Sequence, residues 1–325
     1  MLRPFNLRDM RSDANEVVFL SPDFVNDIEL KLFYRNDLAF ARVGNVGCSI
    51  ITQEKVTISP NIIACSLKPK ALNPAYAALF FNTKYGRLQM EGAIKAVAQP
   101  TISTSLIREL RLPVISERIQ TLLQEMLETV DKLALESCSL LMRAEQTLLA
   151  VLGLNDWQPP EPLTYVRSSK EVEAAERFDS EFYKPKFDAL ISRISGCGAC
   201  VSLGSLLSHN QRGKQPVYAE TGLPVVNSKQ VLKNEVVLGD DNACAETIPS
   251  VQQIRPGDVV INGTGVGTIG RAAAYLHNIP AVPDNHVTIL RIKDDAVDAV
   301  YLSVYLNSIA GQIQATFGLP APLPE

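Results

Sequence analysis

The sequence Pro256-Gly-Asp-Val-Val-Ile-Asn-Gly-Thr-Gly-Val-Gly-Thr-Ile-Gly270 indicates how the chain is organised, because a shorter version of it occurs earlier in the chain. The earlier version reads Asn36-Asp-Leu-Ala-Phe-Ala-Arg-Val-Gly-Asn-Val-Gly47. Downstream of both versions, four pairs of identical residues keep one spacing of 225 residues: Tyr76 and Tyr301, Asn82 and Asn307, Gly86 and Gly311, Gln89 and Gln314. A period this long indicates two copies of a whole domain rather than a solenoid repeat.

Length and composition fit a globular chain with two cores. The 325 residues are 46% hydrophobic and 20% charged, an ordinary mixture for folded domains. We find no apolar run long enough for a membrane span and no signal peptide, so we expect no membrane partner. The cysteines are scattered, which favours a reducing, cytoplasmic location over a disulfide framework.

The net charge of −4 argues mildly against a nucleic-acid partner, but the charge is unevenly distributed. Residues 208–233 hold four basic side chains and one acid, and residues 84–111 hold five bases and two acids. Residues 116–150 are acidic. A local basic surface is sufficient for phosphate contact, so the negative net charge does not exclude DNA binding.

The pattern predicts a mixed α/β (α+β) chain of two domains joined by a long coiled-coil-type helix. The predicted parts are a first domain at 1–115, a spacer helix at 116–153, a Pro-rich linker at 154–163 and a second domain at 164–325. In the first domain we predict a strand over 33–43 and a helix over 73–88 that is capped by Asn73. In the second we predict a helix starting at Pro185, with an apolar face of Phe187, Leu190, Ile191 and Ile194, and strands at 223–231, 259–262 and 271–276.

The spacer helix has two apolar heptad seams. One contains Ile119, Met126, Leu133 and Leu140, and the other contains Leu123, Val130, Ser137, Ala144 and Val151. Four heptads are enough for a coiled-coil strand. We expect Gly153 to end the helix.

Gly265-Val-Gly-Thr-Ile-Gly270 has the glycine spacing of a dinucleotide-binding loop. A Rossmann unit would continue from this loop into a helix. Here the chain continues with Arg271-Ala-Ala-Ala-Tyr-Leu-His-Asn-Ile-Pro280, which is too short and too interrupted for that helix. We therefore predict a tight hairpin whose glycines have positive φ.

Other enzyme signatures are incomplete. Cys197 and Cys200 have no second pair of zinc ligands, and the three histidines His209, His277 and His286 have neither a nucleophile elbow nor a legible catalytic partner. We find no ATP-binding P-loop and no Asn-Pro-Pro-aromatic methyltransferase motif, and we expect no cofactor and no metal.

The order of motifs resembles the DNA-specificity (S) subunit of type I restriction–modification systems. The matching stretches are Arg177–Tyr183, Gly222–Lys229, Gly257–Gly263, Gly267–Gly270, Asp284–Val287 and Tyr301–Ser308, with Gln99–Ser103 and Leu110–Pro113 resembling the exit from a recognition domain. Against this family, we expect the first recognition domain to lack its opening half, because nothing before Met1 corresponds to residues 176–235. The second lacks a counterpart of 96–115 and a second long helix.

The resemblance implies a non-catalytic subunit that directs a methyltransferase and endonuclease complex to a bipartite DNA target. Its partners would be double-stranded DNA, the methyltransferase (modification) subunits and the restriction subunit, with self-association through the helix at 119–151. In the second domain we select residue types that suit guanine, adenine or phosphate as DNA contacts: Arg212, Lys214, Asn227, Lys229, Gln230, Thr264 and Asn285.

Three other interpretations stay open. The chain could be a stand-alone DNA-binding regulator or an inactive truncated remnant. It could also be an enzyme built on the loop 263–270, which would lose nucleotide binding on Gly265→Val.

Overall fold

The computed structural model describes residues 1–8, 10–13, 17–42, 47–68, 72–92, 102–198, 200–239, 242–265, 267–294 and 296–316. The chain divides into two compact units, unit 1 (Met1–Ser137) and unit 2 (Cys138–Glu325). The division falls within the long helix, and the domain boundaries predicted from sequence stay predictions. Within the described residues, no helix is long and apolar enough to cross a membrane.

Unit 1 packs short strands against a helical pair. Its elements are β1 (Met10–Arg11), α1 (Pro22–Asp27), β2 (Phe33–Tyr34), β3 (Leu38–Ala41), β4 (Cys48–Ile50), β5 (Lys55–Val56), β6 (Ile62–Cys65), α2 (Pro74–Asn82), α3 (Lys84–Gly92) and α4 (Thr104–Glu109). One sheet has the order β1-β4-β3-β6, and β2 pairs with β5. Leu38, Phe40, Ile63 and Phe81 are among the residues of its main core.

The single strand predicted over 33–43 is two strands separated by a turn. Asn36 has a φ of 73°, a left-handed conformation that asparagine tolerates better than most residues. The Asp37 carboxylate accepts a hydrogen bond from the Tyr34 N–H at 2.9 Å and stabilises this turn. Val43 lies outside the described residues.

The predicted helix at 73–88 is present but is broken in the middle. Asn73 caps α2 by accepting from the N–H of Ala75 at 2.8 Å, as predicted. The chain leaves the helical conformation at Thr83 and begins α3 at Lys84. At the break, a Cβ on Gly86 would lie 2.4 Å from the Phe80 carbonyl oxygen, so the tight packing of α2 against α3 requires glycine.

The long helix α5 runs over Glu117–Val151 and confirms the predicted long helix. Gly153 follows it with a φ of 63°, which is the expected helix-terminating conformation. The first predicted seam is exposed along its length: Ile119, Met126, Leu133 and Leu140 are each about half accessible.

Unit 2 contains α6 (Ser169–Ala175), α7 (Pro185–Ser195), β7 (Leu207–Arg212), β8 (Tyr218–Ala219), β9 (Leu223–Val226), β10 (Cys244–Ala245), β11 (Val259–Asn262), β12 (Ala272–Ala274), β13 (Val282–Pro283), β14 (Val287–Ile292), α8 (Ala299–Asn307) and α9 (Ile309–Ala315). Two sheets have the orders β12-β11-β14-β7 and β13-β9-β10-β8. Phe187, Leu190 and Ile194 of α7 are buried as predicted, but Ile191 is exposed because it lies off the buried face.

The duplication inferred from the sequence is also present in the structure. In both units a central strand, β3 or β11, pairs antiparallel with the two strands that follow it in that sheet. A helical pair then follows, α2–α3 or α8–α9, with the same break and the same close-packed glycine at 86 and 311. The chain is thus mixed α/β with two related domains and a long helix.

The hairpin prediction for the loop 263–270 is confirmed. Strand β12 returns antiparallel to β11 immediately after the loop, and Gly265, Gly267 and Gly270 all have positive φ. A strand therefore stands where a Rossmann unit needs a helix, which removes the structural basis of the nucleotide-binding interpretation.

The opening residues of unit 1 have a counterpart in unit 2 that covers only 225–235 of the segment 176–235, so the missing opening half stays a prediction. Apart from residue 9, which lies outside the described residues, residues 1–12 repeat the backbone of residues 225–236. Antiparallel bridges join Leu7 to Ser12 and Val231 to Val236. Inside these bridges, Arg8 N–H donates to the Arg11 carbonyl at 3.1 Å, as Leu232 N–H does to Glu235 at 2.8 Å. The side chains differ almost everywhere, so the sequence alone conceals the match.

The residues from 317 onward, where a counterpart of 96–115 is expected to be lacking, lie outside the described residues.

Candidate nucleic-acid interface

The corner at Asp284–His286 is the centre of the candidate site in unit 2. It follows β13 and leads into β14, where the chain changes from one sheet to the other. Arg212, at the end of β7, donates through Nε to the Asn285 carbonyl oxygen at 2.5 Å. Two predicted DNA contacts, Arg212 and Asn285, are therefore in direct contact, and this bond fixes the direction of the guanidinium.

Thr264, the third predicted contact, lies on the Gly-rich hairpin beside the same corner. Its Oγ1 is 2.5 Å from Nδ1 of His286. The backbone supports this approach, because Gly263 N–H donates to the His286 carbonyl at 2.8 Å and the Asp284 carboxylate accepts from the His286 N–H at 2.7 Å. The sequence pointed to a polar Asp284-Asn285-His286 corner but not to the role of His286 in holding Thr264.

The turn Asn227–Gln230 supplies the next three predicted contacts. Gln230 Oε1 accepts from the Asn227 N–H at 3.2 Å, and Asn227 Oδ1 accepts from the Lys229 N–H at 2.8 Å. Bidentate recognition of adenine by Asn or Gln uses both the oxygen and the nitrogen of the amide. Neither amide can do this without breaking the turn, so Lys229, which is exposed, is the side chain best placed to meet a ligand.

Two links bring this turn to the corner. Asp284 N–H donates to the Val226 carbonyl at 3.0 Å, immediately before the turn. Asn262, at the start of the Gly-rich hairpin, donates through Nδ2 to the carbonyls of Ser228 at 3.2 Å and Val231 at 3.3 Å. The turn, the hairpin and the corner therefore form one surface, which we call the unit 2 corner.

Lys214, the last predicted contact, is exposed beside this surface. Gly213 brings it there: its N–H donates to the Val287 carbonyl at 2.8 Å, and a Cβ at this position would lie 2.1 Å from the Asp284 carbonyl oxygen. Arg212 and Lys214 line one side of a cavity of about 190 Å³ that also includes Glu246 and Pro283.

The floor of the unit 2 corner is apolar and rigid. Val226, Val231, Val260 and Val287 pack in one buried cluster with Tyr275. The Tyr275 hydroxyl donates to the Ile279 carbonyl at 2.7 Å, and burial raises the pKa of Tyr275 to about 12. The polar residues of the unit 2 corner therefore lie on a packed core that restricts their movement.

Only part of the positive charge of the basic stretch 208–233 is available at the unit 2 corner. Lys233 pairs with Glu145 of α5 at 3.0 Å, so part of its charge is neutralised within unit 2. Arg212 bonds to a neutral carbonyl and keeps its full positive charge. The predicted contacts that concentrate positive charge at the corner are thus Arg212, Lys214 and Lys229.

No cluster of His, Cys, Asp and Glu that could hold a metal occurs within the described ranges. Cys197 and Cys200 are both exposed. His209 lies on β7, and His277 contacts the Val236 carbonyl through Nε2 at 2.7 Å.

Comparison with known families bears on unit 1 and the long helix. Residues 8–145 match the family described as the type I restriction modification DNA specificity domain. The matched stretch is 138 of the 325 residues, so this similarity covers less than half of the chain. The matched residues include the sheet of unit 1, the α2–α3 pair and most of α5.

Solved structures similar to the chain come from the same systems. One is from work on complex assembly and conformational transition of the type I R-M system, with 13% identity, a TM-score of 0.32 and coverage of 96% of this chain and 73% of that one. The HsdS subunit from Thermoanaerobacter tengcongensis has 12% identity, the same coverage and a TM-score of 0.32. The S subunit from M. genitalium has 14% identity and a TM-score of 0.31, covering 88% and 66%. No curated protein sequence matches the chain significantly.

Proposed function

We propose that this chain is the DNA-recognition subunit of a type I restriction–modification complex and that the unit 2 corner contacts DNA. The match of residues 8–145 to the specificity domain carries the first part of this proposal. The second part is supported by the geometry, since residues chosen from separate parts of the sequence lie on one rigid, basic surface.

The corner offers two kinds of contact. Lys214 and Lys229 are exposed ammonium groups on flexible stems, which suits phosphate contact. Arg212 is different, because the Asn285 carbonyl holds its Nε and leaves the Nη groups to face a ligand. A guanidinium held in this way suits the O6 and N7 atoms of guanine in the major groove. Thr264, held by His286, supplies a shorter polar contact.

In this proposal the chain performs no chemistry of its own. Methyl transfer and cleavage belong to the modification and restriction subunits, which bind their own cofactors. The chain contributes the sequence preference and the positioning of those subunits. The six cysteines are free thiols, which is consistent with a reducing cytoplasm where such a complex meets DNA.

The long helix is proposed as the assembly element. Its exposed apolar seam is unfavourable in water and needs a partner. We assign that partner either to a modification subunit or to the α5 helix of a second copy. Pairing with a second copy would place two identical recognition units on one DNA molecule.

A selection from a random duplex pool tests this function. The chain would be used with the methyltransferase subunit encoded beside it, at about 0.15 M salt, because phosphate-driven affinity depends on salt. We expect a two-part motif with fixed spacing to be enriched. Arg212→Ala should degrade the motif, whereas Lys170→Ala, which removes an exposed lysine outside the corner, should not.

The other outcomes separate the alternatives. Equal enrichment by the purified chain alone would indicate a stand-alone DNA-binding regulator. Identical inverted halves would indicate two copies paired through α5. Binding that falls with salt but enriches no motif would contradict the proposal and favour an inactive remnant.

A further inference from the structure

The turn at residues 3–6 in unit 1 repeats the turn at 227–230 in unit 2. Asn6 Oδ1 accepts from the Arg3 N–H at 2.9 Å, as Gln230 Oε1 accepts from the Asn227 N–H at 3.2 Å. Backbone bonds of 2.8 Å from Asn6 to Arg3 and 3.0 Å from Gln230 to Asn227 close the same loop. One side-chain amide therefore shapes the turn in both units.

The turn in unit 1 also sits against a repeated corner. Ser59 N–H donates to the Leu2 carbonyl at 2.9 Å, the counterpart of the bond from Asp284 to Val226. Arg42 N–H donates to the Asn61 carbonyl at 2.9 Å, the counterpart of the bond from Gly263 to His286. Residues 59–61 thus take the place of residues 284–286.

A guanidinium reaches the same carbonyl in both units from different places in the chain. In unit 2, Arg212 comes from β7 and binds the Asn285 carbonyl. In unit 1, where no strand lies beyond β6 in the described part of the sheet, Arg42 binds the equivalent Pro60 carbonyl through Nη1 at 3.1 Å. Its Nε is held by the Ile102 carbonyl at 3.2 Å. Arginines from different positions in the two units therefore bind the same backbone carbonyl, and each places a fixed positive charge there.

The side chains that project from this shared frame differ in chemistry. At the tip of the turn, Phe5 stands where unit 2 has Lys229, and Arg3 stands where unit 2 has Asn227. The Arg3 guanidinium lies over the Phe5 ring, 4.5 Å from its centroid, and the Phe5 residue is 41% exposed. An exposed phenylalanine stacked under an arginine beside a second, fixed arginine is a surface suited to nucleotides.

We infer that Arg3, Phe5 and Arg42 are the side chains through which unit 1 contacts DNA. This inference rests on the proposed function. Arg42, held by two carbonyls, fixes register against a phosphate. Arg3 suits a guanine edge, and the Phe5 ring suits apolar contact with the methyl group of thymine. Because the two units share this backbone arrangement but not the projecting residues, changes at Phe5 and at Lys229 should affect different parts of the selected duplex.

The same duplex selection, carried out with Phe5→Ala and Lys229→Ala side by side, tests this inference. We expect Phe5→Ala to lower enrichment at one half-site at least tenfold and to leave the other unchanged. We expect Lys229→Ala to affect the opposite half. A thermal melt identical to wild type confirms that Phe5→Ala is folded, which is expected because Phe5 is already exposed.

A photo-crosslinking residue in place of Phe5 gives a second measurement that does not depend on tolerance of the alanine variant. It should crosslink to one half of the selected duplex. The inference is wrong if wild type selects two half-sites while Phe5→Ala and Arg3→Gln leave both intact and position 5 gives no crosslink. If wild type selects no motif, the proposed function itself fails, which is a distinct result.

Discussion

Asn82 and Asn307 each hold one strand residue by both of its backbone groups. Asn307 donates to the Ala272 carbonyl at 2.6 Å and accepts from the Ala272 N–H at 3.1 Å. Asn82 donates to the Cys48 carbonyl at 2.6 Å and accepts from the Cys48 N–H at 3.1 Å. In each unit this amide ties the helical pair to the strand that follows the central strand, β4 or β12, which explains the strict spacing of the two residues.

Asn307→Ala should destabilise unit 2 by about 3 kcal/mol, because it leaves several buried polar groups without partners. Trp157, the single tryptophan, packs against the core of unit 2 that includes α7 and α9, so its fluorescence reports the unfolding of that unit. Denaturant titration should show a lower midpoint for Asn307→Ala than for Asn82→Ala, which removes the equivalent bonds from unit 1. Equal shifts in the tryptophan transition would contradict this assignment.

Gly86→Ala should be far more damaging than Gly92→Ala, although both change a glycine of the same helix. The new Cβ at 86 would meet the backbone of Phe80 and Phe81 at 2.4 Å, whereas nothing lies within 4 Å of one at 92. At 92, the last residue of α3, we expect little change in stability, because the added methyl group meets no other atom. Calorimetry of both variants measures the difference. Comparable stabilities would mean that α2 and α3 pack less closely than described.

Much of the fold could be predicted because it depends on local chemistry. The capping by Asn73, the end of α5 at Gly153 and the hairpin at 263–270 follow from residues that act on their own neighbours. The duplication was visible where function or packing preserves side chains, as at Asn82 and Asn307. It was invisible at residues 1–12, since there a shared backbone carries different side chains.

The candidate site was harder to predict because its side chains are held by residues that are distant in the sequence. Arg212 was chosen for its charge, but its fixed position depends on a carbonyl 73 residues away. Gln230 was chosen as a base-reading residue, yet its oxygen shapes the turn. The position of Arg42 in the frame could be recognised only from the structure, because its counterpart in unit 2, Arg212, lies on a different strand.

Asp258→Ala should be strongly destabilising, by about 3–5 kcal/mol, because it leaves Arg291 as an unpaired charge in a largely buried site. The two residues form a bidentate pair with both N···O distances at 2.8 Å. The double variant that combines Asp258→Ala with Arg291→Met should recover part of the lost stability. Urea titrations monitored at Trp157 provide the measurement. If the double variant were less stable to urea than Asp258→Ala alone, the ion pair itself would be shown to stabilise unit 2.

Thiol reactivity should divide the cysteines by burial. Burial raises the pKa of the Cys48 thiol well above its ordinary value, so little of the reactive thiolate exists at neutral pH. Cys138, Cys197 and Cys200 are exposed. A thiol reagent applied to the native chain at pH 8 should label those three rapidly and Cys48 only after denaturant is added. Rapid native labelling of Cys48, identified by peptide mass, would show that the core of unit 1 opens readily.

The apolar seam of α5 should drive association through the helix. Leu133 lies on the seam and is 59% exposed, while Leu135 is 74% exposed but lies outside both heptad seams. Leu133→Lys places a charge in the expected interface and should weaken association at least tenfold, about 1.4 kcal/mol or more. Leu135→Lys adds the same charge to the same helix and should have little effect. Sedimentation of the chain alone, and again with the modification subunit, distinguishes pairing between copies from docking to that subunit. If the wild-type chain is monomeric alone and binds the modification subunit equally well with either substitution, the seam is not the assembly element.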